Sequence, residues 1–266
     1  MWRHPDLVFE LLRSIEEITG RTWPGDMLIR EGSVALGFES KELEKAQRPL
    51  EACLSAMFGS PMTLGMFGFQ SSGAKVEVAG ELILHFDDGS QATIDDLRGT
   101  YHLTTDLERA IRVTTPAKRV LTIENSKTTL RRIAALNGDR ETLIVACAFP
   151  GRGLIRLFEL LPAGLPAFHF GDTDPAGFLI LSKLRRAIGR PVTPFLMARR
   201  SRETPVPLTG YDRSILPRLL ADPVLEDIRP HLEEIATSGD KGDFEQESLG
   251  RPDLPHWPFY RSYGAD

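Results

Sequence analysis

Apolar positions along the chain follow two different rhythms. In the N-terminal part the rhythm is mainly helical. Leu7, Leu11, Leu12, Ile15 and Ile18 form one apolar stripe ending at Gly20, which predicts a helix over about 6–19 with a single buried face. A second helical region is predicted over about 40–58, interrupted near Pro49, which would start a new helix at its first position. Residues 59–73, rich in Gly, Ser, Met and Phe, show no clear period. Leu82, Leu84 and Phe86 then alternate with other residues, and Asp87-Asp88-Gly89-Ser90 turns the chain toward 91–94, a hairpin signal. Thr105-Asp106-Leu107-Glu108 has the form of a capping box, so a helix is expected from Asp106 to about Val113. Residues 114–117 read as a domain junction.

Beyond that point, short continuous apolar runs alternate with helical stretches. Residues 120–123, 142–149 and 167–170 read as buried strands, 191–197 as a further one, and 126–137 as a helix. Phe178, Leu181, Leu184 and Ile188 set out a long amphipathic helix. This alternation predicts parallel βαβ units. The expected fold is therefore α/β: a smaller mixed α+β domain over 1–115, for which a winged-helix-like form and a role in DNA binding or dimerisation are candidates, then a mainly parallel sheet over 116–266 with a C-terminal helical extension. Helices are expected over 208–220 and 224–236, the second broken at Pro230, and an extended tail over 251–266.

In open parallel sheets, ligands bind beyond the carboxyl ends of the strands. Three carboxylates fall there: Glu124 after the first core strand, and Asp172 and Asp174 after the third. If strand geometry persists, Asp172 and Asp174 point to one side. Oxygen ligands without a neighbouring histidine or cysteine motif favour Mg2+ or Mn2+ over zinc, and three carboxylates brought together without a cation would repel one another. Asp-x-Asp-Pro is also an ordinary loop and helix-cap sequence. His169 reads as a packed strand residue. Lys127 is either a phosphate contact or a solvent-facing lysine.

Composition changes this picture in one respect. The 266 residues carry a net charge of -5, yet 108–202 hold 17 Lys and Arg against 7 Asp and Glu, a local balance of +10. Positive charge around a small acidic focus suits a polyanion handled through metal ions; solvated helix faces would look the same. Cys53 and Cys147 lie in apolar surroundings and read as reduced core thiols. There is no run of apolar residues long enough to span a membrane and no signal-peptide pattern, so a cytoplasmic location is expected.

A strand ending in Glu and a later strand ending in D-x-D is the pattern of the Toprim domain of topoisomerases, primases and related nucleases. Gly171-Asp172-Thr173-Asp174-Pro175-Ala176-Gly177-Phe178 resembles the version in topoisomerase VI A subunits. Together with Ile123-Glu124-Asn125, Arg185-Arg186 and the late Phe244-Glu245-Gln246-Glu247, the chain is similar to JetD, the nuclease family of the Wadjet plasmid-defence systems. The resemblance is specific over about 120–197 and faint before 100. It implies a Rossmann-like Toprim fold and a Mg2+-dependent DNA endonuclease with Glu124, Asp172 and Asp174 as metal ligands and Glu247 or Glu245 as an additional acid. It also implies a homodimer acting on double-stranded DNA presented by an SMC-like motor complex. Topoisomerase VI-like enzymes cut with a tyrosine that precedes the Toprim segment. Only Tyr101 precedes Glu124 here, so water is the expected nucleophile. Two other readings stand beside this one: a DNA-binding or assembly subunit with a vestigial site, and a metal-dependent phosphatase or transferase using the D-x-D motif.

Overall fold

The computed structural model describes residues 5–23, 27–60, 62–70, 75–94, 99–104, 107, 109–137 and 140–248. The chain divides into two units, Met1–Gly73 with Thr209–Ser214, and Ala74–Leu208 with Ile215–Asp266.

The first unit is largely helical. Helix α1 (Pro5–Gly20) is followed by a two-residue strand β1 (Met27–Leu28), α2 (Ile29–Ala35) and α3 (Glu42–Phe58); β2 (Phe69–Gln70) pairs in parallel with β1. Helix α3 runs through Pro49 without breaking, contrary to expectation. Leu43 before the proline and Leu50 and Leu54 after it are buried, and that shared face outweighs one missing backbone hydrogen bond.

The second unit holds β3 (Val76–Ala79), β4 (Leu82–His85), β5 (Gln91–Ile94), β6 (Tyr101–Leu103), β7 (Arg112–Thr114), β8 (Arg119–Ile123), a π-type turn (Ser126–Leu130) leading into α4 (Arg131–Leu136), β9 (Thr142–Ala146), α5 (Arg152–Leu160), β10 (Ala167–Phe170), α6 (Pro175–Ile188) and β11 (Thr193–Pro194). Helix α7 (Gly210–Leu220) crosses the division between the units, and α8 (Arg229–Ser238) lies in the second.

The main sheet has the order β11-β10-β8-β9-β3-β6. Its first four strands are parallel, and β3 and β6 join antiparallel. The α/β expectation therefore holds, with two differences. Strands from before residue 115 complete the core sheet, so the division near 73 replaces the expected junction at 114–117. Residues 112–114 form strand β7 against β4, not the end of a helix. Of the start of that expected helix, Leu107 and Arg109 are helical, while Thr105, Asp106 and Glu108 of the capping box lie outside the described residues, as does the 251–266 tail. The predicted hairpin is present as β4 and β5.

Leu121 and Ile123 of β8 pack with Ile144, Phe170, Leu130, Ile133, Phe195 and Ala79 in one apolar cluster. Strand side chains alternate, so Thr122 and His169, paired across β8 and β10, point to the opposite face. Glu124 and Gly171 follow two residues later on that face, at the carboxyl ends of neighbouring strands.

Candidate active site

Glu124 remains in the sheet after β8 ends, because its N–H donates to the Phe170 carbonyl at 3.0 Å. Its side chain reaches over Gly171, and Oε2 accepts the Asp172 N–H at 3.0 Å. Gly171 makes this crossing possible: a Cβ there would lie 2.8 Å from both Glu124 Oε2 and His169 Nε2. The Asp172 carboxylate is fixed from the other side, its Oδ1 accepting the Gln246 N–H at 2.9 Å. Thr173 N–H donates to the Phe244 carbonyl at 2.9 Å. Residues 244–246 thus clasp the loop after β10.

Asp174 goes elsewhere. The strand ends at Phe170, and Asp174 takes extended geometry as the N-cap of α6, with Pro175 in the first turn; proline has no N–H for a ladder and suits that position. Asp174 Oδ1 accepts the Gly177 N–H at 2.9 Å. Its Oδ2 receives the Lys241 ammonium at 2.8 Å, with both side chains at or below 10% exposed. Gly177 is required too, since a Cβ would stand 2.2 Å from the Asp172 carbonyl oxygen. Glu124 and Asp172 are brought together, while Asp174 is buried against a lysine. Among the described residues no group of three His, Cys, Asp or Glu side chains is arranged to hold a metal ion. The pair Glu124 and Asp172, all oxygen donors at adjacent strand ends and neither fully buried, fits a hard cation.

Glu245 is exposed, and its carbonyl accepts from Arg200 at 3.1 Å. Glu247 falls in the short turn Gln246–Ser248, and its side chain lies outside the described residues. Lys127 is exposed.

His169 is fully buried, and burial, with the Arg185 charge second, lowers its pKa to about 3. The Thr122 hydroxyl lies 3.0 Å from the Phe168 carbonyl and 2.8 Å from His169 Nδ1. With its one hydrogen given to the carbonyl, that hydroxyl accepts from Nδ1–H. The imidazole is then neutral, and Nε2 has no hydrogen-bond partner among the described residues. Cys147 is buried, and burial, followed by the Glu124 charge, raises its pKa well above the usual thiol range, which keeps it an inert thiol.

The basic residues of the central stretch are largely engaged within the fold. Arg185 pairs with Asp227 at 2.7 Å and donates to the Val192 carbonyl. Arg186 pairs with Asp222, Arg199 with Glu234 and Asp240, and Arg200 with Asp243. Arg131 and Arg132 are exposed.

Sequence reasoning passed over Lys241 and Gln246. The run Ser238-Gly239-Asp240-Lys241-Gly242-Asp243 signals only a turn, and nothing local says that it returns to the D-x-D loop. No helix among the described residues is long and apolar enough to cross a membrane. No curated protein matches the chain. The family model described as Wadjet protein JetD, C-terminal, matches residues 77–256, from β3 past the last described residue and well over half of the chain. The chain therefore belongs to the JetD C-terminal family and carries the role of a Wadjet defence-system component, one that works in a complex with other proteins.

Proposed function

We propose that the chain is a metal-dependent DNA endonuclease that hydrolyses phosphodiesters of duplex DNA, using the carboxylates of Glu124 and Asp172 to hold Mg2+ or Mn2+. The observation that carries this reading is the link between the two strand ends, where Glu124 Oε2 accepts the Asp172 N–H. Two hard-oxygen donors are thereby held in register before any ion binds. A bound ion would polarise a phosphate oxygen and lower the pKa of a coordinated water.

The chain's own residues supply placement. The parallel pairing of β8 and β10 sets the spacing of the two carboxylates. The Gln246 N–H fixes the rotation of Asp172, and Gly171 leaves room for Glu124. In the reaction, a water oxygen bonds to phosphorus, the bond from phosphorus to a sugar oxygen breaks, and that oxygen ends protonated. A water nucleophile accords with the position of Tyr101. It lies on β6, three strands from β8, or about 14 Å at usual strand spacing. Double-stranded DNA as substrate, a homodimer that cuts both strands and delivery by an SMC-like motor complex belong to the same proposal, supported by the family match.

The test is cleavage of supercoiled plasmid with Mg2+ or Mn2+, by the chain alone and with its Wadjet partners, beside Glu124→Ala and Asp172→Ala. Nicked or linear product that both substitutions abolish is expected. Cleavage at an unchanged rate in either variant would overturn the site.

One observation favours a second reading, a DNA-binding or assembly subunit whose site is vestigial: Asp174 is tied to Lys241 and does not join the other two acids. DNA binding without cleavage under either ion, with all partners present, is its signature.

A further inference from the structure

Asp174 has both carboxylate oxygens engaged, Oδ1 by the Gly177 N–H and Oδ2 by the Lys241 ammonium, and its side chain is 7% exposed. A divalent ion that keeps part of its water shell has little room there. The lysine, moreover, is built in. Lys241 N–H donates to the Val206 carbonyl at 2.9 Å, and Nζ stands 5.0 Å from the Phe244 ring centroid. The neighbouring Asp240 accepts from the Val206 and Gly242 N–H groups and pairs with the buried Arg199. Gly242, at φ +71, lets the turn pass where a Cβ would come within 2.1 Å of the Arg200 carbonyl oxygen. A loop braced at so many points delivers its ammonium to one place.

We propose that Lys241 takes the position of a divalent cation on Asp174, so that the centre holds one metal ion, on Glu124 and Asp172, beside a fixed lysine charge. Lys241 is a positioning residue: it neutralises the third carboxylate, which would otherwise repel the other two, and it keeps Asp174 available as the cap of α6. This inference rests on the metal-nuclease reading above and adds the number of ions to it.

The experiment counts ions on the full-length chain. Metal-free protein is titrated with Mn2+, and free Mn2+ is read by electron paramagnetic resonance, with far-ultraviolet circular dichroism as the check on folding. The wild type is expected to bind one Mn2+, which Glu124→Gln and Asp172→Asn remove. Asp174→Asn keeps a side-chain oxygen for the cap and is expected to retain that ion, whereas loss of a true ligand would weaken binding by about tenfold or more. Lys241→Met is expected to bind a second ion and to melt at a higher temperature when Mn2+ is added. Two ions on the wild type, or loss of the single ion in folded Asp174→Asn, would overturn the inference and leave the metal-nuclease reading standing. No Mn2+ on the wild type would remove that reading itself. If Lys241→Met fails to fold, Asp174→Asn alone decides.

Discussion

Gly171 is the residue that the Glu124 side chain has to cross. Its missing side chain is the space through which Glu124 reaches the Asp172 N–H, and an added methyl would come within 2.8 Å of Glu124 Oε2 and His169 Nε2 together. Gly171→Ala is expected to cost roughly 1–3 kcal/mol of stability and to lower plasmid cleavage by about tenfold or more, since a displacement of order 1 Å at a reacting group is that costly. Chemical denaturation and the cleavage assay check the two arms separately. His169 beside it gives a pH signature. Burial holds its pKa near 3 in the folded chain against 6.5 for an ordinary histidine, so the unfolded chain takes up a proton first as pH falls. Stability is whole above about pH 6.5 and falls by at most about 1.4 kcal/mol per pH unit down toward pH 3. His169→Gln should flatten the part of that decline between pH 6.5 and 5. An equal slope in the variant would mean that other groups govern it.

The elements show which signals reach the surface of a sequence. Strands β8, β9 and β10 are short, mainly apolar runs, because they are largely buried on both faces, and Pro175 after Asp174 marks the start of α6. Those features are local, and they were readable. The same local grammar misplaced Asp174, since i and i+2 share a side only while a strand continues, and here the strand stops at Phe170. Strands β3 and β6 carry Glu77 and His102 in their interiors and so show no continuous apolar run; their place in the sheet is set by pairing with β9 and with each other. The loop carrying Lys241 was legible as a turn but not as a partner of residues 67 positions away. That partnership has a stability consequence. Removing the lysine leaves a buried carboxylate without its cation, so Lys241→Met in metal-free buffer is expected to destabilise the fold by about 3–5 kcal/mol. The double variant with Asp174→Asn should recover part of the loss, the interaction term being read from the four-protein cycle.

Across the whole molecule, charge is deployed differently from its impression in the sequence. The central stretch holds an excess of Lys and Arg, but Arg185, Arg186, Arg199 and Arg200 pair with acids from the segment 222–243. These cations fasten residues 222–243 within the sheet-bearing unit, which leaves exposed groups such as Lys127, Arg131 and Arg202 to meet phosphates. DNA binding by the isolated chain is therefore expected to depend weakly on salt, with a log-log slope shallower than about -3, as few counterions are released. Fluorescence anisotropy at several salt concentrations measures it, and a slope of twice that size would assign phosphate contacts to other basic groups. With the partner complex present the slope should steepen.

The bond from the Glu124 side chain to the Asp172 backbone makes the proposed metal-holding carboxylate a fastener between two strands as well. Cutting it back to alanine removes both functions at once, and a silent assay would then confound lost chemistry with a loosened sheet edge. Glutamine separates them: its amide oxygen can still accept the Asp172 N–H, while the charge that would attract a metal ion is gone. If the proposed nuclease reading holds, a chain carrying Glu124→Gln is the inert form to offer the partner complex, expected to keep its place in the assembly and to reveal which steps of defence precede cleavage.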